Sequence, residues 1–494
     1  MSAVLVACSF FLFIFQDAIV VFNAVAVVMS IGAILLLIHI VNNIHQVRLS
    51  TILALSLLLG YGVGTLNSVF DVWFQTSRDV AEYFNYQPSQ LAIAEIVVCL
   101  SVSVLLWISK FEKSSVFPHN VATMDVGRRE LVFMSLLVAI IIYAFAAGGI
   151  GFQGVYSSDR GRMSVIGAIT SMIHPAIVAF SVYCFHKARG KQKLYFGVMA
   201  ALMMILLVPQ GRRIILYSVV LSLFAYVLAG GRFRVFKIKT IMLLGAIATL
   251  TIFASNFFFA MRMATYGYAT GELTLWDLVN HGAAILLDPD AHAGMQALQI
   301  ENMRERTFIL GYLAELLDKT WTISPLYGQI MGFAFKMSIP SILGIDKSSV
   351  IQIGYEEGIA NPHFGLPVLD VPNTVLTSGI SDFGVFGAFL CPLLVLGLYK
   401  VAQVTLGKFS PPPVYLMMSF ILVYALLQVE EELSFHFVTI RDLVLLVLLM
   451  VVIYKISGFR IRAATTTGLR HKRWLLSKIQ PVDQGAKNAK ENIF

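Results

Sequence analysis

The stretch VPQGRRIIL at residues 208–216 puts two arginines, Arg212 and Arg213, into a turn between two apolar runs. Other arginines sit at comparable places. Arg160 and Arg162 lie in YSSDRGRMS before an apolar run, Arg262 lies in FFFAMRMATYGY just after one, and Arg441 lies inside FHFVTIRDLVLL. A guanidinium is planar, permanently charged and able to grip phosphate through two parallel N–H bonds. Several of them at neighbouring helix ends would suit a phosphate or diphosphate attached to something apolar. The plainer alternative is that each side chain reaches the lipid headgroups and anchors its own helix.

Carboxylates follow the same pattern. Glu356 and Glu357 stand in a glycine-rich segment, Asp382 in SGISDFGVFGAF, and Glu430, Glu431 and Glu432 in succession. Ionisable groups near membrane depth are costly and therefore point to function, although pairing with the arginines to close a helix bundle would also explain them. A carboxylate beside a hydroxyl acceptor can act as general base. Glu357 and Asp382 are the candidates, with His363 of NPHFG as a third. His281, His292, His363 and His436 have no metal-ligand spacing, DPD at 288–290 reads as a turn, and no phosphate-cradling glycine loop is present. Neither a metal, nor another cofactor, nor an ATP-driven step is expected of this chain.

The elements that must position these groups are apolar helices. The 494 residues are 58% hydrophobic and only 13% charged, with mean hydropathy +0.79. Soluble proteins carry about 45–50% apolar and about 25% charged residues, and a run of about 20 apolar residues crosses a hydrocarbon core of about 30 Å. The pattern predicts an all-α polytopic membrane protein with about twelve transmembrane helices, at 2–15, 19–40, 50–70, 89–109, 130–148, 164–185, 194–208, 214–230, 240–260, 374–399, 413–429 and 437–456. Gln16 and Asp17 mark either a turn between the first two or a broken start to one long helix.

Basic residues favour cytoplasmic loops. The segments 41–49, 110–129, 186–193, 230–239, 400–408 and 455–494 alternate onto one side and hold 24 of the 36 Lys and Arg residues. Both termini are therefore expected in the cytoplasm, and the net charge of +8 is mostly a loop signal rather than a nucleic-acid footprint; no nucleic-acid partner is expected. The tail from Lys455 to Lys478 suits anionic lipid. Cys8, Cys99, Cys184 and Cys391 all fall in apolar spans, where packing is the expected role.

The chain divides into helices one to nine (1–260), an outer loop (261–373), helices ten to twelve (374–456) and a basic tail (457–494). The loop holds six basic and twelve acidic residues and contains the helix-like stretches LWDLVNHGAAILL and FILGYLAELLDKTW. Its apolar piece PLYGQIMGFAFKMSIPSIL, broken by Pro340, suits an interfacial or re-entrant helix pair.

The order PQGRRIIL, FAMRMATYGY, FAFKMSIPSILG and PNTVLTSGISDFGVFGAFL, over residues 150–445, resembles the Wzy-type polymerases of lipid-linked oligosaccharide repeat units. The kind that builds enterobacterial common antigen is the nearest, and the O-antigen ligases are more distantly similar. The resemblance implies a GT-C-like fold in the bacterial inner membrane with a large folded periplasmic loop. It implies glycosyl transfer at the periplasmic face, from an undecaprenyl-diphosphate-linked oligosaccharide to a hydroxyl of the next lipid-linked unit, without metal or nucleotide sugar. A flippase and a chain-length regulator would be partners beside membrane lipid. Arg212 and Arg262 match the family's outer arginines and would bind the diphosphate; Arg213, Arg162 and Arg441 join them by position alone. Asn373 and Glu431 would contact the glycan. A ligase that moves glycan to another lipid, or a transporter or flippase for an anionic lipid-linked glycan, remains the alternative.

Overall fold

The computed structural model describes residues 1–66, 87–118, 124–146, 165–231, 238–266, 275–296, 309–340, 355–366 and 373–477. Among them every regular element is helical. Nine helices come first: α1 (Ser2–Ile14), α2 (Ile19–Asn42), α3 (Leu49–Leu57), α4 (Pro88–Ile108), α5 (Arg128–Ala146), α6 (Val165–Lys187), α7 (Lys191–Leu207), α8 (Arg212–Leu228) and α9 (Ile238–Tyr266). They fall where the hydropathy pattern predicts them. The chain breaks at residues 15–18, so Gln16 and Asp17 do mark a turn.

The region expected as an outer loop contributes α10 (Leu275–Leu287), α11 (Ile309–Thr320), α12 (Gln329–Ser338) and α13 (Glu357–Phe364). Asp288 lies in the turn after α10, and its carboxylate accepts from the N–H groups of Asp290 and Ala291. α11 is not an appendage: Ile309 to Ala314, Leu316 and Leu317 are all buried, and the helix packs against α4.

α14 (Val375–Phe383), α15 (Gly387–Phe409), α16 (Pro412–Leu427) and α17 (Leu433–Ser477) complete the fold. Among the described residues six apolar stretches are long enough to cross a membrane: Ile19–Asn42, Leu49–Leu66, Pro88–Ile108, Arg128–Ala146, Val375–Phe409 and Leu433–Gly458. Ser2–Ile14, Arg213–Leu228 and Pro412–Leu427 are shorter apolar helices. The chain is an all-α membrane-embedded protein. α17 runs unbroken through 45 residues, so the first part of the basic tail continues the last helix.

One expectation needs correction. The span predicted at 374–399 is not one helix, because the chain doubles back at Gly384, whose φ is 61°. Gly379 and Gly387 would lie about 12 Å apart on one straight helix. Instead they touch so closely that a Cβ on either would strike the other's backbone carbonyl. α14 is thus a half-length helix laid against the start of α15, with every residue from Val375 to Asp382 buried. Thr374 starts it by accepting from the N–H groups of Leu376 and Thr377, a cap worth about 1 kcal/mol.

Candidate functional site

Short contacts bring several helix ends to one end of the bundle. In the helical continuation of α3, the Tyr61 hydroxyl meets Thr374 Oγ1 at 2.7 Å, and Ser56 donates to the Leu427 carbonyl at the end of α16. Val208, in the turn before α8, packs against Phe258 and Met261 of α9, next to Arg262. Arg213, in the first turn of α8, reaches Glu430 between α16 and α17. The other end is tied separately, by Lys400 Nζ 2.8 Å from Glu112 Oε1 and by Glu112 accepting from Ser50 at the start of α3.

Glu356, fully buried, is the knot of the first end. Its carboxylate accepts from the Ser378 hydroxyl at 2.5 Å and from the Ser434 N–H at 2.6 Å. Its own N–H donates to Glu432 Oε2 at 3.0 Å, and Ser434 Oγ donates to the other oxygen of Glu432. The Leu433 N–H donates to Ser378 Oγ. Three segments distant in sequence are stapled here, and the first amides of α17, which no intrahelical carbonyl can satisfy, find partners. Burial first, and then Glu432, hold the Glu356 carboxyl well above the usual range. Burial also raises Glu432, against hydrogen bonds from Ser434, the Glu356 N–H and Asn373 that lower it.

Beside this knot lies a more open group. Arg213 Nη2 is 2.5 Å from Glu430 Oε2, with the arginine side chain 46% exposed and the glutamate 20%. Next in sequence, Glu431 is pushed up to about 8, by burial first and Glu432 second, against the opposing pull of Arg213. The arginine side of this ion pair faces solvent, where such pairs contribute about 0–1 kcal/mol, so the guanidinium is accessible to an incoming group. A protonated Glu431 would not repel an anion there.

The other expected site residues take varied places. Arg262 is half-buried near the end of α9, one residue after Met261. Of Arg212 the structure describes only the backbone, the first residue of α8. Arg162 lies outside the described residues. Glu357 starts α13 and is half-buried. Asn373 Oδ1 accepts from the Thr374 N–H at 3.0 Å and from the Thr377 hydroxyl, inside the knot. His363 is exposed on α13, its Nε2 donating to the Ser324 carbonyl at 2.8 Å, which leaves Nδ1 as the basic atom.

Asp382 and Arg441 do something the sequence did not suggest: they clamp α12 at its two ends. Asp382 Oδ1 accepts from the Ile330 N–H at 2.8 Å and Oδ2 from the Met331 N–H at 2.7 Å. Arg441 Nη1 donates to the Met337 carbonyl at 3.3 Å in the last turn, while its Nε is held 2.7 Å from Asp442. An anion at a helix N-terminus and a cation at its C-terminus both complement the macrodipole. With both oxygens of Asp382 taken by backbone amides, the geometry favours positioning over proton abstraction there.

Sequence reasoning fastened on Glu357 and left the buried Glu356 beside it without a role. It also passed over Ser378, Ser434 and His174. The last carried a signal, being a lone ionisable group in an apolar span.

Fold and site together define a class: an all-α membrane protein with a carboxylate-rich polar site and a half-exposed, ion-paired arginine at one end of its helix bundle. Compared with known protein families, curated proteins and solved structures, the chain matches none.

Proposed function

We propose that the protein is a membrane glycosyltransferase that polymerises lipid-linked oligosaccharide repeat units. The observation that carries this reading is the Arg213–Glu430 pair beside the protonatable Glu431. In this reading α1 to α9 and α15 to α17 make twelve crossings in a GT-C-like arrangement. Both termini are cytoplasmic, and the site opens at the periplasmic face of a bacterial inner membrane.

Arg213, with Arg212 and Arg262 from the adjoining helix ends, holds the diphosphate of an undecaprenyl-linked glycan. The bond from the anomeric carbon to the diphosphate oxygen breaks, and the lipid diphosphate leaves with the electron pair. The acceptor hydroxyl of the next lipid-linked unit bonds to that carbon, and its proton passes to Glu431 in its carboxylate form, which the guanidinium of Arg213 favours. Negative charge on the leaving diphosphate grows in the transition state, so fixed guanidinium groups stabilise it more than the ground state. Glu357 and His363 lie on α13 and would line the glycan path with Asn373. A flippase delivering the substrate and a chain-length regulator would be its partners.

The buried Glu356–Glu432 pair favours a second reading, a transporter that exchanges protons with an anionic lipid-linked substrate. One assay separates the two. Purified protein in lipid, given only a lipid-linked repeat unit, yields a ladder of longer products if it is a polymerase. Product on a second lipid core means a ligase, and no bond formation means transport.

A further inference from the structure

His174, in α6, is fully buried. Its Nε2 lies 2.9 Å from the Met203 carbonyl, an acceptor only, so Nε2 carries the proton. In the neutral ring Nδ1 is then an acceptor, and Gln210 Nε2 donates to it at 2.8 Å. The same nitrogen also donates to the Leu206 carbonyl at 3.5 Å, and the two bonds, the shorter to the histidine, set the rotation of the Gln210 amide and turn Oε1 away from the ring.

That oxygen is buried and has no hydrogen-bond partner among the described residues, and Gln210 as a whole is only 5% exposed. Nearly all buried carbonyls are satisfied, and each exception calls for a reason. Gln210 ends the short 3₁₀ turn directly before the paired arginines. Gly211 follows with φ 116° and ψ 155°, a region open in practice to glycine alone. A glycine-only step thus separates the unsatisfied acceptor from Arg212 and Arg213, the first two residues of α8.

We infer that Gln210 is a specificity-determining residue: its side-chain carbonyl accepts a hydrogen bond from a hydroxyl or amide N–H on the sugar adjoining the diphosphate, and His174 is the positioning residue that aims it. This rests on the glycosyltransferase reading. A site built to receive a donor discriminates against a ligand that lacks one, because its own polar group is otherwise left unpaired.

The test compares two probes, undecaprenyl diphosphate and undecaprenyl diphosphate bearing one N-acetylhexosamine, bound to the full chain in lipid nanodiscs. Wild type is expected to prefer the sugar-bearing probe by roughly tenfold, the size of one net hydrogen bond. Gln210→Met should bind the bare diphosphate as wild type does and lose that preference. His174→Leu, which removes the shorter of the two bonds that hold the amide and leaves the 3.5 Å contact with Leu206, should narrow the preference while keeping the bare probe bound. No preference in wild type, or an equal loss of both probes in both variants, overturns the assignment of Gln210. Failure of wild type to bind either probe instead overturns the glycosyltransferase reading on which it stands.

Discussion

Glu431→Gln is the most informative single change. The carboxyl moves from 4.5 to about 8 in the folded protein. At about 1.4 kcal/mol per tenfold change in proton affinity, that span corresponds to an upper bound of roughly 5 kcal/mol. Glu431 as a residue is half-buried, so solvent screens part of that span, and about 1–3 kcal/mol is the expected effect. The direction follows from linkage. Below about pH 4.5 folded and unfolded chains both carry the proton, and the group is silent. Between about pH 4.5 and 8 the unfolded chain ionises while the folded one does not, so rising pH favours unfolding. Above about 8 the difference is constant. Glutamine keeps the shape without the titration. Thermal melts in a fixed detergent should therefore show variant and wild type together near pH 4.5, with the variant increasingly the more stable up to about pH 8. Parallel melting curves from pH 5 to 9 would refute the reasoning, since they would mean Glu431 titrates as it does in water.

The same substitution should abolish polymer formation, and wild-type activity should climb with pH through a midpoint near 8 and level off above it, where the carboxylate is the resting form; a flat pH profile with full activity in Glu431→Gln removes it as the base. Arg262→Ala or Arg212→Ala should leave single repeat units in place of long glycan, and normal chain length from both would count against diphosphate binding there. Asp382→Ala leaves the amides of Ile330 and Met331 unmatched; at about 1.5–3 kcal/mol for a charged hydrogen bond, a loss of about 3 kcal/mol is expected, with Asp382→Asn losing roughly half, both read as thermal stability. Gly379→Ala should prevent folding, because its methyl would enter the Gly387 carbonyl; a well-expressed, monodisperse variant would show that α14 and α15 do not meet so closely.

The helices were legible from residue order. Uncharged runs bounded by Gly, Pro or basic residues predicted α1 to α9, and α10, α11 and α12 were visible as helix-like pieces of the long loop. Hydropathy reports the free energy of each segment in lipid, which depends on composition and length alone. It is blind to a reversal inside an apolar stretch, so the Gly384 turn between α14 and α15 was read as one span. The charged residues show the same divide. Their cost near a membrane marked Arg213, Asp382, Arg441 and Glu431 as a set, because desolvation belongs to the residue type. Whether a given carboxylate caps a helix, as Asp382 and Glu356 do, or stays protonatable beside a cation, as Glu431 does, depends on which backbone amides and guanidinium groups arrive within about 3 Å. Residues more than fifty positions apart supply those partners, and only the packed chain brings them together.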